Sequence, residues 1–200
     1  FSSPVIAATD DGGAMIGWSA ENASEWDVFA ARLSAAGLAW THTLCAESGN
    51  QSEIQVAPLM DGAGAFVWKD FRSGVDYDIY CQALDTQGDP AWPFADPYGL
   101  CDAAGAQYRP AIVADGQGGV YVAWEDYRAA DTDIYMSRID RYGQRYGDID
   151  GSPICTETGQ QVHLRLATVA GGCFVAWQDN RAGAYDLYLQ RVDTDVEPQF

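Results

Sequence analysis

One supersecondary unit is repeated four times along this chain, and this repeat restricts the possible folds more than any other feature. The copies are marked by Trp18, Trp68, Trp124 and Trp177, which lie 50, 56 and 53 residues apart. A glycine-rich turn and an alternating apolar run precede each tryptophan, as in MDGAGAFVW and ADGQGGVYVAW. An aspartate and two apolar residues follow it nine or ten positions later. A unit of about 50 residues with this regularity is typical of repeat proteins.

Each unit is predicted to be a β-sheet. In the third unit the strands are PAIVAD, GVYVAWED, TDIYMSRID and a fourth around SPICTE, in which residue polarity alternates and β-branched and aromatic types are enriched. Repeated four-stranded antiparallel units indicate a β-propeller, whereas a solenoid usually has shorter units and parallel strands. We predict an all-β, four-bladed β-propeller in one domain over residues 1–200. Its blades are expected at about 1–52, 53–108, 109–162 and 163–200.

The last blade is predicted to be incomplete. After its third strand only TDVEPQF remains, and Pro198 cannot donate to a β-ladder. Only Phe1, Ser2 and Ser3 precede the first strand, too few to supply the missing one. Three explanations stay open for the exposed edge: a longer propeller, a tail that covers it, or a neighbouring subunit that pairs there.

The acid–arginine–tryptophan pattern is interpreted as structural. A catalytic centre is one asymmetric place, whereas a residue found in every blade does something that every blade needs. A carboxylate can accept from the N–H groups of a turn, and a guanidinium can join two backbone segments. The residues assigned to this motif are Trp68, Asp70, Arg72 and Asp78; Trp124, Asp126, Arg128 and Asp133; and Trp177, Asp179, Arg181 and Asp186. The first blade departs from the pattern, with SAEN after its tryptophan.

The most complete copy, WQDNRAGAYDLYLQR, carries a resemblance to known sequences. It resembles the propeller repeats of many uncharacterised secreted bacterial proteins. The resemblance implies a propeller in an extracellular setting and no particular reaction. The sialidase pattern S-x-D-x-G-x-x-W does not occur in the chain.

Paired aspartates are the candidate metal ligands. Residues two apart on a strand share a face, so two carboxylates held together there favour a cation between them. Calcium, with its flexible shell of oxygen ligands, is the ion expected. The candidate ligands on strands are Asp76 with Asp78 and Asp131 with Asp133. Asp148 and Asp150 form a second calcium-like fragment, which lacks the spacing of an EF-hand loop. The alternative is that these carboxylates form a solvated acidic rim.

Net charge excludes some partners. With 29 acidic and 11 basic residues the chain carries −18, which repels phosphate backbones and anionic membranes. No apolar run is long enough for a spanning helix, and the first residues lack a signal-peptide pattern. We therefore predict no nucleic-acid partner, no membrane insertion and a secreted protein whose export signal has been removed or was never present.

Cysteines and three further aromatic residues have candidate roles. Cys45, Cys101 and Cys155 recur at one position of successive blades and are expected to be buried thiols, with a Cys81–Cys101 or Cys155–Cys173 disulfide left open. The aromatic residues expected to be more exposed, and so best placed to stack on a sugar, are Trp40, Trp92 and Tyr146, although packing against the next blade is the competing role.

These observations together predict a non-enzymatic extracellular protein. Its expected partners are other copies of itself, assembled into a filament or tube through propeller contacts and the open blade edge. The alternative is a carbohydrate-binding, lectin-like propeller. A glycosidase ranks last because no carboxylate pair stands out as non-repeated.

Overall fold

Four antiparallel β-sheets make up the computed structural model, which describes residues 4–199. The first sheet contains β1 (Val5–Ala8), β2 (Ala14–Asn22), β3 (Glu25–Ser34) and β4 (Gly37–Cys45). The second contains β5 (Gln51–Pro58), β6 (Gly64–Asp70), β7 (Asp78–Leu84) and β8 (Tyr98–Cys101). The third contains β9 (Gln107–Ala114), β10 (Val120–Asp126), β11 (Asp133–Ile139), β12 (Arg145–Tyr146) and β13 (Ser152–Cys155). The fourth contains β14 (Gln161–Val169), β15 (Gly172–Asp179) and β16 (Asp186–Val192).

The predicted β-propeller is confirmed, and its last blade is the incomplete one. We call the sheets blades 1 to 4. Each runs through its strands in chain order, and β12 and β13 share the outer position beside β11. In blade 4 the residues after β16 fold back as a single bridge between Val192 and Pro198, and the Gln199 N–H donates to the Arg191 carbonyl at 2.8 Å. Within residues 4–199 there is no α-helix, only a 3₁₀ turn at Met60–Gly62. The prediction about Phe1, Ser2 and Ser3 lies outside the described residues.

Alternation along the second strand of each blade produces the packing between blades. Phe66 and Trp68 point towards blade 1, where they join a core with Met15 and Val28. Val67, one residue away, points towards blade 3 and packs in a different core. A strand with both faces buried has a nearly continuous run of apolar residues. Strands β6 and β10 are of this kind, since they are buried at almost every position.

Three apolar cores join the blades in series. They lie between blades 1 and 2, between blades 2 and 3, and between blades 3 and 4. In the described part of the chain, the strands of blade 1 and blade 4 do not pack against each other as consecutive blades do. All four blades nevertheless contribute to one central cavity.

Candidate functional site

The repeated motif forms a hydrogen-bonded cluster between consecutive blades, which we call the clamp. In blade 3 the buried Asp126 carboxylate accepts from Trp124 Nε1 at 2.9 Å and from the Arg128 backbone N–H at 2.9 Å. The Arg128 guanidinium donates to the same carboxylate at 2.6 and 2.8 Å and lies 3.9 Å from the ring centroid of Tyr135. It also approaches Cys101 Sγ of blade 2 at 3.3 Å. The clamp therefore ties the third blade to the second.

Blades 2 and 4 repeat this geometry. Arg72 contacts Asp70 at 2.6 Å and Cys45 Sγ at 3.0 Å. Arg181 contacts Asp179 and lies 2.9 Å from Cys155 Sγ. Burial raises the pKa of Asp179, but donors from Arg181 and Trp177 outweigh it and hold that pKa below its usual range. In blade 1 the register places Ala20 opposite Asp27, where the other blades have two aspartates, so this clamp is missing there.

The cysteines are thiols in this structure. Cys45, Cys81, Cys101, Cys155 and Cys173 are all free and buried. Burial raises the pKa of Cys45 to about 11 and that of Cys101 to about 12. Neither disulfide left open by the sequence is formed.

The paired aspartates are engaged with the neighbouring loops. Asp76 accepts from the Gly105 N–H at 2.8 Å, and Asp131 accepts from the Gly159 N–H at 3.0 Å. Burial, with added repulsion from nearby carboxylates, raises the pKa of Asp78 and of Asp133 to about 6.

The calcium-like fragment with Asp148 and Asp150 lies beside Asp102 of blade 2. Asp150 accepts from the Asp102 N–H at 3.2 Å, and a hydrogen bond between the Asp102 and Asp150 side chains raises the pKa of Asp102. Over residues 4–199 no group of three or more His, Cys, Asp or Glu side chains is arranged to hold a metal ion. Calcium binding stays a prediction.

The aromatic residues proposed as sugar platforms pack at the outer part of the blades. Trp92 is 3% exposed and belongs to the core between blades 2 and 3, so the expectation that it is exposed is wrong. Trp40 donates from Nε1 to the Thr86 carbonyl at 3.0 Å. The Arg138 guanidinium carbon lies over the Tyr146 ring, 4.9 Å from the ring centroid. None of the three lines the central cavity described next.

A cavity of about 1220 Å³ opens at the centre of the blades. Its wall is formed by the first strands of the blades, and equivalent positions of β5, β9 and β14 carry a break in the pairing register. At each break stands a non-glycine residue with left-handed backbone: Glu53 (φ 57°), Arg109 (φ 50°) and His163 (φ 59°). Such a conformation is uncommon outside glycine and is concentrated at functional positions. Three different ionisable side chains therefore occupy one structural position in three blades.

These residues form a chain of alternating charge across the cavity mouth. Lys69 Nζ donates to Glu53 at 2.8 Å, and the other Glu53 oxygen accepts from the Arg109 backbone N–H at 2.8 Å. The Arg109 guanidinium reaches both oxygens of Glu125 at 3.3 Å. Glu125 also accepts from the His163 backbone N–H at 2.7 Å. Arg109 thus links the two carboxylates, one through its backbone N–H and the other through its guanidinium.

Burial distinguishes the two carboxylates. The Glu125 side chain is 1% exposed and that of Glu53 is 37% exposed. A buried carboxylate is stable only when it is paired, and Arg109 supplies the pairing charge for Glu125. Arg109 itself is 52% exposed, so the polar centre of the cavity remains open to a ligand.

An aromatic row between blades 2 and 3 begins at Tyr77, which lines the cavity. Tyr77 lies 5.0 Å from Phe71 and 5.6 Å from Tyr108, and Tyr108 lies 5.4 Å from Tyr127, all between ring centroids. Lys69 Nζ sits 4.5 Å from the centroid of Tyr77. Aromatic faces beside charged and polar groups suit a polyhydroxylated ligand, because a sugar has both apolar C–H faces and hydroxyl groups.

Sequence reasoning missed this site, although a signal for it exists. The residue after each repeat tryptophan changes from blade to blade: Ser19, Lys69, Glu125 and Gln178. The second residue after the glutamine of each first strand changes too, from Glu53 to Arg109 to His163. A search for carboxylates at variable positions inside a regular repeat would have identified Glu53 and Glu125.

Solved structures with a similar fold include several carbohydrate-active enzymes. An endo-arabinase from Bacteroides thetaiotaomicron VPI-5482 is 12% identical, with a TM-score of 0.55 over 94% of this chain and 74% of that one. An α-L-arabinofuranosidase from Lactobacillus brevis is 11% identical, with a TM-score of 0.57 over 98% and 74%. The Hadza microbial sialidase Hz136 is 10% identical, with a TM-score of 0.61 over 93% of this chain and 43% of that one. At these identities the likeness shows the fold. No protein-family model and no curated protein matches the chain.

These findings correct the function predicted from the sequence. The expectation of a non-enzymatic protein that self-assembles into a filament or tube is wrong, because the solved structures that share the fold include an endo-arabinase, two α-L-arabinofuranosidases and a polysaccharide lyase. The propeller implied by the repeat resemblance is found, whereas nothing in the comparisons reproduces the specific repeat motif. No helix formed by the described residues is both long and apolar enough to cross a membrane.

Proposed function

We propose that this protein is a carbohydrate-active enzyme of the glycoside hydrolase type, which binds a glycan over the mouth of the central cavity. The observation that carries the proposal is the convergence of Glu53 and Glu125, from non-repeated positions of two blades, around Arg109. Glycosidic bonds are cleaved by a pair of carboxyl groups, one of which transfers a proton while the other stabilises or attacks the sugar cation. The endo-arabinase and the sialidase that share this fold support the assignment.

Glu125 is proposed as the ionised member of the pair. The Arg109 guanidinium and the His163 N–H stabilise its negative charge in a buried position. Glu53, at the open rim, is the second carboxyl group of the pair, and a sugar oxygen can reach it from solvent. The row formed by Tyr77, Tyr108 and Tyr127 is proposed to stack on the neighbouring sugar units.

A hydrolysis assay with matched variants tests the proposal. The protein is incubated with a panel of plant, algal and sialylated polysaccharides, and released reducing ends are measured. Glu125→Gln and Glu53→Gln are each expected to lower kcat by about 10²–10⁴-fold, measured well below the thermal midpoint of each variant. Glu157→Gln, at an exposed turn carboxylate, is the control and should retain full activity. Absence of hydrolysis on every substrate, or wild-type rates in both variants, would contradict the proposal.

Carbohydrate binding without hydrolysis is the second candidate, favoured by the aromatic row alone. Stacking on tyrosine rings stabilises a sugar without any carboxylate chemistry. A glycan array distinguishes the two functions. Retention that is lost in Tyr108→Ala and kept in Glu125→Gln, with no hydrolysis of the bound glycan, would assign the protein as a lectin. A site of either kind is proposed to work outside the cell, where polysaccharide substrates are found.

A further inference from the structure

The outward face of blade 4 exposes apolar residues that every other blade buries. Leu187 is 76% exposed and Leu189 is 55% exposed on β16. The register pairs Ala176 with Leu189, as it pairs Val67 with Cys81 in blade 2. Leu187 and Leu189 therefore occupy the positions of Ile79 and Cys81 in blade 2, and both of those residues are fully buried.

A following blade covers this position elsewhere in the molecule. Ile79 and Cys81 lie in one core with Trp124, the repeat tryptophan of blade 3. Their equivalents in blade 3, Ile134 and Met136, lie in one core with the blade 4 tryptophan, Trp177. The three interfaces that the structure contains thus show what normally packs there: the tryptophan-bearing second strand of another blade.

Blade 1 shows the complementary defect. Trp18 and Ile16 on β2 are only half-buried, and Trp18 stacks on Phe29 of its own blade at 5.7 Å. The corresponding tryptophans of blades 2 and 3, Trp68 and Trp124, are fully buried under the preceding blade. Because blades 1 and 4 do not pack on each other, the described residues form an open arc with an unmatched face at each side.

We propose that the outward face of blade 4 is a docking surface for one further blade of this same repeat. That blade would place a tryptophan over Leu187 and Leu189 and present its own apolar outer face to Trp18. A direct head-to-tail contact between two copies of this chain is disfavoured, because each copy carries −18 and like charges repel. The inference is independent of the proposed activity, since it concerns the seam of the arc and not the cavity mouth.

An extended chain tests this directly. Val192 of blade 4 is equivalent to Ile139 of blade 3, since the two residues pair with Cys173 and Val120. Replacing residues 193–200 with a copy of residues 140–192 would therefore complete blade 4 and add a fifth blade in the native register. The control is the same extension with the copied tryptophan, equivalent to Trp177, changed to alanine.

The extension should cover the apolar face. Compared with the 200-residue chain, binding of a hydrophobic dye should fall to background and amide exchange in β16 should slow by about tenfold or more. The thermal midpoint should rise by about 5 °C, and the alanine control should lose most of these effects. Unchanged dye binding and β16 exchange in the extended chain would overturn the proposal.

A second experiment uses the 200-residue chain itself. The double substitution Leu187→Gln and Leu189→Gln should remove the part of the dye binding that belongs to blade 4, with an unchanged thermal midpoint, because the described residues leave these side chains uncovered. Ile134→Gln, at the covered equivalent of Leu187, should lower the midpoint by about 10 °C or more. Light scattering should show a monomer. An oligomer whose β16 is protected, or a double variant as unstable as Ile134→Gln, would show that a second copy or the chain itself already covers the face.

Discussion

Asp126→Asn is the substitution that most directly tests the structural role of the repeated motif. The aspartate side chain is fully buried and accepts hydrogen bonds from Trp124 Nε1, the Arg128 backbone N–H and the Arg128 guanidinium, all at 2.6–2.9 Å. Asparagine has nearly the same size, so the change leaves no cavity. It removes the negative charge and turns one acceptor into a donor that faces other donors.

The expected loss is about 3–5 kcal/mol of unfolding free energy, because removing one partner of a buried ion pair leaves the other charge uncompensated. Arg128 is 22% exposed and can recover some hydration, which places the expected value towards the lower end of that range. The second blade should be affected as well, since Arg128 also reaches Cys101.

Equilibrium urea unfolding followed by tryptophan fluorescence measures this loss, because Trp124 lies inside the clamp and reports its opening. Asp89→Asn, at an exposed turn residue, is the control and should change the free energy by less than about 0.5 kcal/mol. A loss below about 1 kcal/mol in Asp126→Asn would refute the view that the repeated acid–arginine pair holds the blades together.

Burial raises the pKa of Asp78 and of Asp133 to about 6 in the folded state, so protonation of both favours folding below about pH 4, and this contribution is lost as pH rises through 6. The double substitution to asparagine should therefore gain up to about 3 kcal/mol per site at pH 7 and little at pH 4, measured as urea midpoints. All five thiols should resist Ellman's reagent in native protein and react after unfolding, whereas fast native reaction would contradict their burial. Gly151→Ala should lower the thermal midpoint far more than Gly74→Ala: both glycines have positive φ, but an added Cβ would lie 2.5 Å from the Trp124 ring at the first position and meet nothing at the second.

The fold could be predicted from the sequence because the repeat and the strands are both periodic. The spacing of the repeat tryptophans and the alternation in segments such as GVYVAWED predicted the sheets, because strand formation and blade packing are repeated local events. The expected strand PAIVAD begins three residues later than β9 does. The structure also pairs Gln107 and Tyr108 with β10, on the other side of a bulge that the alternation of residue types does not reveal. The same bulge places Arg109 at the cavity mouth.

The sequence alone determined the four-bladed architecture, the incomplete last blade and the recurrence of the acid–arginine–tryptophan unit. Each copy has the same alternation of residue types and the same turn residues, so each forms the same strands. Only the tertiary structure decided that Glu53, Arg109 and Glu125 meet, because they come from different blades and their contact depends on how the sheets are arranged around the cavity. It also decided that Leu187 and Leu189 lie uncovered while their repeat equivalents are buried. Burial is a property of neighbours in space, and identical local patterns acquire different surroundings at the two sides of an open arc.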